Sequence, residues 1–393
     1  MANVRPFRAT RYAREQIDAL LSPPYDAADA ELIARLRASE PHNSAALDAS
    51  GSPEEAAALW RAWRESGVLI DEADLAIYLY EGVGAGATAI RGIFAAIPVG
   101  AYGPEIGVYG HERTLDGPRA GRRALLAATR ANLSPILLLR SGDAHTFAGV
   151  FAEVSTSTPL IEGTTPDDSQ VRVWRVDPRG EHGASLLRWA AGAPLVIADG
   201  HHRYESAREL AAVGSGSTHT LGLIVETDTA GPTLHATHRI LTGYDGAVFI
   251  AALTQSADVV RVEVVGALPN QLHRNQFAVA IDGAVTVVTL RTETSHQPIT
   301  ARVEKLLEET LHITPADVAA GALRYERQTD RAISASHQPN TIALLLPPES
   351  MESVIATALA SQVMPQKATH FTPKPATGLL FLAHDRNEEL GEL

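Results

Sequence analysis

The chain has 393 residues, of which 45% are hydrophobic and 20% charged, and it contains no cysteine. This composition is typical of a folded protein of two or three domains, and it excludes disordered, collagen-like and coiled-coil classes. The absence of cysteine excludes disulfides, thiolate nucleophiles and Cys-ligated metals, and it favours a cytoplasmic location. The 33 basic and 46 acidic residues give a net charge of −13, which opposes binding to nucleic acid.

The amino terminus has no apolar run of the kind found in signal peptides. No stretch of about 18 apolar residues occurs elsewhere, so the sequence predicts no membrane span. We therefore expect a soluble protein without a membrane partner.

Proline, glycine and apolar periodicity predict the elements of the first 160 residues. In chain order these are an irregular proline-rich segment (1–50), a helix opened by Pro53 and ended by Gly67, two strands (75–81 and 89–99) joined as a hairpin by the glycine-rich residues 82–86, a helix (119–131) and a strand (136–139). The glycines precede a β-branched run rather than a helix, which favours a hairpin turn over a dinucleotide-binding loop.

Residues 155–170 have the composition of a linker, and strands and helices alternate beyond them. The predicted elements are strands at 171–176, 195–198 and 220–226, helices at 184–191, 202–212 and 247–255, strands at 259–265, 276–281 and 285–290, a helix around Glu304–Glu309, a strand at 342–346 and a helix ending near 362. This order predicts an α/β fold with mixed sheets, divided into an N-terminal α/β domain (1–160), a phosphate-binding region (170–260) and a C-terminal α/β region (261–393) that closes the site.

The segment ADGHHRYESA carries the strongest chemical signal, because polar residues follow a buried strand at the start of a helix. The unpaired amides of a helix amino terminus bind anions, and Arg203 adds a guanidinium suited to phosphate oxygens. Gly200 allows close approach of the backbone to a ligand. Asp199 and His201 are candidate catalytic residues, and Gly200, His202 and Arg203 are candidate phosphate ligands.

Two further clusters contain histidine beside an ionisable residue. His111 and Glu112 could act as an acid–base pair if a loop presents both side chains to one ligand. His238 and Arg239 are candidates for phosphate or carboxylate contact, because their β-branched neighbours predict an extended segment in which a His-x-x-His pair faces opposite ways. We expect no metal site there.

The last cluster lies in the proline-punctuated segment MPQKATHFTPKPATG. The chain has only three lysines, and two of them, Lys367 and Lys374, lie seven residues apart in this segment. An ordered loop would present Lys367, Thr369, His370 and Lys374 at fixed positions, so we predict that they contact phosphate. The P-loop, nucleophile-elbow, HExxH and protein-kinase signatures are all absent.

Seven blocks, among them RPFRATRY, SPPYDA, HERTLDGPRAGRRALLAATRANLSPI, HATHRIL and the two segments above, resemble domain-of-unknown-function family 1015 over nearly the whole chain. ADGHHRYESA also resembles the phosphate-binding box of the ParB and sulfiredoxin superfamily, which includes free-serine kinases. That resemblance implies a ParB/sulfiredoxin-like core in which Gly200, His202 and Arg203 contact nucleotide phosphates and Asp199 or His201 lies near the transferred group. Tyr25, Asp26 and Arg122 are assigned to the substrate.

These observations predict a nucleotide-dependent phosphotransferase, a kinase-like transferase that uses ADP or ATP, with Mg²⁺ as a further candidate, and acts on a small hydroxylated metabolite. Serine or phosphoserine is the best match to the resemblance. One alternative is a phosphatase of phosphoserine-like esters, and another is a nucleotide-gated, CTP-type binding or regulatory module, against which the net charge of −13 argues. A homodimer is compatible with the sequence.

Overall fold

The computed structural model describes residues 1–84, 89–112, 114, 116–292, 297–314, 317–318 and 320–391. The chain divides into two compact units. Unit one contains Met1–Gly110, Thr114–Thr233 and Pro373–Leu393, and unit two contains His111–Arg113 and Leu234–Thr372. The last segment of the chain therefore belongs to the same unit as its first segment.

The strands of the described residues are β1 (Thr10–Tyr12), β2 (Leu69–Asp71), β3 (Ile77–Val83), β4 (Ala89–Pro98), β5 (Val108–Tyr109), β6 (Ala131–Asn132), β7 (Ile136–Arg140), β8 (Ile161–Thr164), β9 (Gln170–Val176), β10 (Leu195–Asp199), β11 (His219–Glu226), β12 (Thr233–His235), β13 (His238–Thr242), β14 (Val259–Val265), β15 (Gln276–Ile281), β16 (Ala284–Leu290), β17 (Leu323–Glu326), β18 (Thr341–Leu345), β19 (His370–Thr372) and β20 (Leu382–Ala383). The α-helices are α1 (Ala30–Ser39), α2 (Ala45–Asp48), α3 (Pro53–Glu65), α4 (Asp116–Thr129), α5 (Ala144–Val154), α6 (Glu181–Ala191), α7 (His201–Ala212), α8 (Gly246–Gln255), α9 (Ile299–Leu311), α10 (Thr329–Ala335) and α11 (Met351–Leu359). Short 3₁₀ helices occur at Asp18–Leu20, His384–Arg386 and Glu388–Gly391.

Unit one is built on an eight-stranded mixed sheet with the order β5-β10-β7-β11-β4-β3-β9-β8. Strand β10 is parallel to β5 and antiparallel to β7, and β11 is parallel to β7. All eight residues of β11 are buried, which explains why the central strands read as continuous apolar runs. Helices α5 and α6 cover one face of the sheet with Phe147, Phe151, Leu186 and Trp189.

Unit two is built on a six-stranded sheet with the order β14-β16-β15-β18-β13-β17, in which every neighbouring pair is antiparallel. One face packs against α8 and α9 through a cluster that includes Phe249, Leu253, Val303 and Leu306. The other face packs against α10 through Ala332. The two faces are thus buried by separate apolar clusters.

The structure confirms the predicted α/β class with mixed sheets. It also confirms the hairpin, because β3 and β4 pair antiparallel from Tyr78–Phe94 to Val83–Ala89. The turn residues 85–88 lie outside the described residues. The predicted strands and helices around Asp199 are present, with α7 beginning one residue earlier than the sequence indicated.

Two of the segment predictions were wrong. Residues 155–170 were predicted to be a linker, but they contain β8, which pairs with β9 at the edge of the main sheet, so a boundary near residue 160 falls inside this sheet. Residues 1–50 were predicted to be irregular, but they contain α1 and α2. Helix α1 buries no residue fully, and its apolar residues Leu32, Ile33 and Leu36 are only half-buried. It begins where the Asp29 carboxylate accepts a hydrogen bond from the amide of Leu32 at 2.8 Å.

Gly92 in β4 provides a test of the packing of unit one. A Cβ at this position would lie 2.0 Å from the backbone oxygen of Ile224 in β11, so a side chain would push two central strands apart. We expect Gly92→Ala to lower the free energy of unfolding by about 3 kcal/mol. Gly149→Ala is the control, because Gly149 lies in α5 with nothing within 4 Å of the added carbon.

Alanine favours a helix over glycine, so we expect Gly149→Ala to raise the free energy of unfolding by about 0.5–1 kcal/mol. Urea unfolding followed by tryptophan fluorescence reports unit one, because all four tryptophans of the chain lie there. A Gly92→Ala protein as stable as the wild type would contradict the close approach of β4 and β11.

Candidate functional site

The turn between β10 and α7 has the geometry that the sequence predicted at ADGHHRYESA. Gly200 has a φ of +97°, a conformation that side chains rarely adopt, and no side chain caps α7. A Cβ on Gly200 would lie 3.0 Å from Ile136 Cγ2 and 3.1 Å from Arg203 Nε. Because Gly200 has no side chain, the Arg203 guanidinium can lie directly beside the backbone of the turn.

Arg203 is held by groups on both neighbouring strands. Its Nη2 donates to Asp199 Oδ2 at 2.6 Å, and its Nη1 donates to the carbonyl of Pro135, just before β7. Its Nε is buried without a partner among the described residues. Burial opposes the charged form of Arg203, but the carboxylates of Asp199, Asp26 and Asp48 outweigh burial and raise its pKa. Arg203 is therefore a fixed internal cation.

Lys374 joins this cation through a shared carboxylate. Its Nζ donates to Asp199 Oδ1 at 2.5 Å and to Asp26 Oδ2 at 3.2 Å. The side chains of Lys374 and Asp199 are only 14% and 12% exposed, so water screens the pair weakly. Burial opposes the charge of Lys374, but Asp199 and Asp26 outweigh it and raise the pKa of the ammonium. We call Asp26, Asp199, Arg203 and Lys374 the strand-end cluster.

A second group of predicted residues lies in the same unit. The Arg122 guanidinium lies 3.8 Å from the centre of the Tyr25 ring, which is a cation–π distance. Its Nη1 and Nη2 donate to Oδ1 and the carbonyl oxygen of Asp48, both at 2.9 Å. Asp48 Oδ1 also accepts from Ser134 Oγ at 3.3 Å. The structure thus joins Tyr25 and Arg122 to a buried carboxylate.

Asp48 is a residue that the sequence analysis missed. It lies in the short helix α2, is 2% exposed and bonds to Arg122 from the start of α4. A lone aspartate within the apolar run AALDAS was the available signal, since a buried carboxylate needs a charged partner. Asp48 and Arg203 line a cavity of about 30 Å³, which is room for about two water molecules and not for a nucleotide.

His201 and His202 begin α7, but His201 does not reach solvent. Its side chain is 4% exposed, and burial, with contributions from His202 and Arg203, lowers its pKa to about 3. His201 is therefore neutral at physiological pH. This burial argues against the proton-transfer role that the sequence-based hypothesis gave to His201.

His238 and Arg239 lie in β13 of unit two, and both are occupied by internal contacts. The amide of Leu346 donates to His238 Nδ1 at 3.2 Å, so Nε2 carries the proton and donates to Thr329 Oγ1 at 3.0 Å. Arg239 is fully buried and donates to Glu304 Oε1 at 3.2 Å. Arg239 therefore contacts a carboxylate of its own unit, and its contact with a ligand stays a prediction.

Unit two also contains the other predicted loop residues. His111 Nε2 lies 3.1 Å from Thr369 Oγ1, and Glu112 forms a parallel bridge with Met364. The ring centres of His370 and His235 are 5.7 Å apart. The structure thus brings the segment around Glu112 beside the segment 364–372.

Lys367 differs from these neighbours because it is exposed and has a φ of +54°, which is unusual for lysine. It makes no hydrogen bond or ion pair to other residues that the structure describes. The two lysines that the sequence analysis grouped lie in different units. Lys374 is part of the strand-end cluster in unit one, and Lys367 is part of unit two.

Among the described residues, no group of three or more His, Asp or Glu side chains is arranged to hold a metal ion. At the strand-end cluster both Asp26 and Asp199 already accept from the Lys374 ammonium. These two carboxylates bind the ammonium of Lys374 rather than Mg²⁺, so we assign no metal ion to a reaction there. No helix in the described part of the chain is long and apolar enough to cross a membrane.

The fold and the site define a mixed α/β protein with a charged cluster at the carboxyl end of a sheet strand. Residues 4–309 match the family described as "Protein of unknown function (DUF1015)". The chain belongs to this family. A search of curated proteins found no match.

Several solved structures resemble the chain at low identity. Free serine kinase in complex with AMP has a TM-score of 0.38 and 13% identity, covering 71% of this chain and 90% of that chain. A mutant of free serine kinase in complex with ADP has a TM-score of 0.40 and 12% identity over the same shares. SbnI with a C-terminal truncation, from Staphylococcus aureus, has a TM-score of 0.42 and 13% identity, covering 76% of this chain and 93% of that chain. Similarity at this level carries no argument about the reaction, and the ParB/sulfiredoxin-like core remains a prediction from the motif.

Gly200→Ala tests the turn at the strand-end cluster. The positive φ makes alanine strained, and the added Cβ would displace Ile136 and the Arg203 guanidinium. We expect a loss of about 2–4 kcal/mol in the free energy of unfolding, measured by urea with tryptophan fluorescence. Gly214→Ala is the control, because Gly214 also has a positive φ of +69° but nothing within 4 Å. We expect it to cost about 1 kcal/mol. Equal losses would show that packing on Arg203 contributes nothing.

The fixed tautomer of His238 predicts a pH dependence for unit two. Burial, reinforced by Arg239, lowers its pKa to about 4 from the ordinary 6.5. The unfolded chain therefore takes up a proton before the folded chain does. The stability that His238 contributes is present above pH 6.5 and is lost as the pH falls toward 4.

We expect the wild type to lose roughly 2 kcal/mol more stability than His238→Gln between pH 7 and pH 5. Urea unfolding at both pH values, followed by far-UV circular dichroism, measures this difference. His337→Gln, which changes an exposed histidine of the same unit, should keep the wild-type dependence. Equal slopes for His238→Gln and the wild type would contradict a neutral, buried His238.

Proposed function

We propose that unit one is a phosphotransferase that moves a phosphoryl group between a nucleotide, ADP or ATP, and a small hydroxylated metabolite, with serine and phosphoserine as the preferred pair. One observation carries this proposal. Asp199, Arg203 and Lys374, which the sequence analysis selected on chemical grounds, form one strand-end cluster at the amino terminus of α7 with Asp26, which was assigned to the substrate.

The cluster has unused donors for phosphate oxygens. Lysine has three N–H donors, and Lys374 uses two on Asp26 and Asp199 among the described residues. Each terminal nitrogen of Arg203 makes one of its two possible hydrogen bonds. The amino terminus of α7 adds the positive end of the helix dipole. Phosphoryl transfer asks a protein chiefly for such positioning and positive charge.

Asp199 is the residue we assign to the hydroxyl of the metabolite. In the transfer, the hydroxyl oxygen forms a bond to phosphorus, the bond from phosphorus to the donor oxygen breaks, and the nucleotide leaves with the electron pair of that bond. The hydroxyl proton passes to the Asp199 carboxylate. Lys374 is placed to neutralise the transferred group, because it already binds the same carboxylate. Tyr25 and Arg122 are assigned to the remainder of the metabolite.

The residues of unit two have no assigned role in this step. His238 and Arg239 make internal contacts in unit two, and Glu112, Lys367, Thr369 and His370 also lie in unit two. His201 is excluded as the proton acceptor by its burial. The proposal is therefore confined to unit one, and substitutions in unit one alone can contradict it.

Three substitutions test this proposal by ³¹P NMR with serine and ATP, and with phosphoserine and ADP. We expect Asp199→Asn and Lys374→Met each to lower the transfer rate at least about 100-fold, because each removes a charge that acts on the transferred group. Lys305→Met is the matched control, since Lys305 is an exposed lysine on α9 whose ion pair among the described residues is with Glu309 at 3.7 Å. It should retain the wild-type rate.

Lys374→Arg keeps the positive charge and separates a chemical effect from unfolding, as does tryptophan fluorescence of each variant. Wild-type rates in both Asp199→Asn and Lys374→Met would overturn the proposal. Release of inorganic phosphate from phosphoserine without any nucleotide would replace transfer by hydrolysis. Nucleotide binding that accelerates neither reaction would favour a regulatory module.

A further inference from the structure

The edge strand β14 of unit two has a self-complementary sequence. It reads Val-Val-Arg-Val-Glu-Val-Val from Val259 to Val265, with Val262 at its centre. β14 is the terminal strand of the six-stranded sheet, and within the described residues it pairs only with β16. Its other edge therefore presents backbone donors and acceptors to solvent.

Antiparallel pairing of two copies of β14 about a two-fold axis at Val262 would match every central pair. Arg261 of one copy would lie opposite Glu263 of the other, and this contact would occur twice. Val260 would lie near Val264, also twice, but outside the regular register, because Val260 is the extra residue of a bulge. Opposite charges and apolar residues in directly facing positions are the cross-strand pairs that stabilise sheets.

The exposed side chains of the strand are the ones that this pairing would use. Val260 and Val264 are 55% and 78% exposed, although most valines of the chain are buried. Arg261 Nη2 and Glu263 Oε1 are 2.9 Å apart within the strand, and both side chains are largely exposed. A surface ion pair of this kind contributes little, so exchanging it for two pairs across the axis costs little.

A bulge limits the length of the pairing without removing its centre. The register of β14 on β16 shifts between Val259 and Arg261. Bulges on edge strands discourage long pairings. Val260 is the extra residue of this bulge, so the regular part of the contact is Arg261, Val262 and Glu263. Val262 itself packs against the core of unit two, which fixes the direction of the strand at the axis.

We propose that this edge is a dimerisation surface whose partner is a second copy of the chain, paired antiparallel through β14 about Val262. The charge pattern selects this partner, because a strand with two like charges would repel its own copy and the observed strand attracts it. One strand pairing is a small interface, so we expect a dissociation constant on the order of 10–100 µM. The proposal is independent of the phosphotransfer assigned to unit one.

Charge reversal tests the register directly in the full chain. Glu263→Arg puts two like-charge pairs across the axis, and so does Arg261→Glu. We expect each variant to raise the dimer dissociation constant at least about tenfold in sedimentation equilibrium. The double variant Arg261→Glu, Glu263→Arg restores both opposite-charge pairs and should dimerise like the wild type. Glu65→Arg, an exposed charge reversal at the end of α3, should change nothing.

Mixing the two single variants gives the sharpest result. A chain with Arg at both positions faces a chain with Glu at both, so a heterodimer should form where neither variant forms a homodimer. Loss of structure in one variant could not produce that rescue. A wild type that is monomeric up to several hundred micromolar, or a mixture that stays monomeric, would overturn the proposal.

A crosslink tests the axis itself. Because the chain has no cysteine, Val262→Cys carries a single thiol, and a two-fold axis there brings the two Cβ atoms within reach of a disulfide. We expect mild oxidation to give a covalent dimer. Val213→Cys, on an exposed surface of unit one, should crosslink at least about tenfold more slowly. Equal rates for the two variants would overturn the pairing at Val262.

Discussion

The sharing of one carboxylate between two cations is the interaction on which the arrangement of unit one depends. Asp199 accepts from Arg203 and from Lys374, and Lys374 is also held by Asp26. The charges of Asp199, Arg203 and Lys374 are largely shielded from water, so removal of one leaves another uncompensated. The cluster thereby fixes the end of β10, the start of α7 and two segments more than a hundred residues away from them.

The charges of this site are balanced before any ligand arrives. Asp26 and Asp199 offset Lys374 and Arg203, while Asp48 offsets Arg122. In the proposed reaction, a phosphate would meet cations that are already paired with protein carboxylates, and its affinity would depend on how far those carboxylates move away. The net charge of −13 would by itself repel nucleotides from most of the surface. The paired charges of this site add no excess positive charge to offset that repulsion.

Local sequence was sufficient to predict the turn at Gly200, because an apolar strand, a glycine and the start of a helix follow one another within about ten residues. Lysine scarcity was enough to select Lys374. The pairing of Lys374 with Asp26 could not be predicted, since it depends on a long-range closure of the chain. The partner of Arg239 could not be predicted for a related reason. Whether a guanidinium contacts a ligand or Glu304 of the same unit depends on tertiary packing, and the local sequence pattern is the same in both cases.

The return of residues 373–393 to unit one has a consequence for how the protein is made. Strand β20 pairs with β6, Phe381 bonds to Thr10, and Thr377 bonds to Ser22, so these early segments depend on residues that come more than 200 positions later. During synthesis, unit one lacks Lys374 and the Phe381 ring, which packs against Tyr12 and Trp60, until those residues have been made. Unit one can therefore complete its fold only after residues 234–372 of unit two have been synthesised.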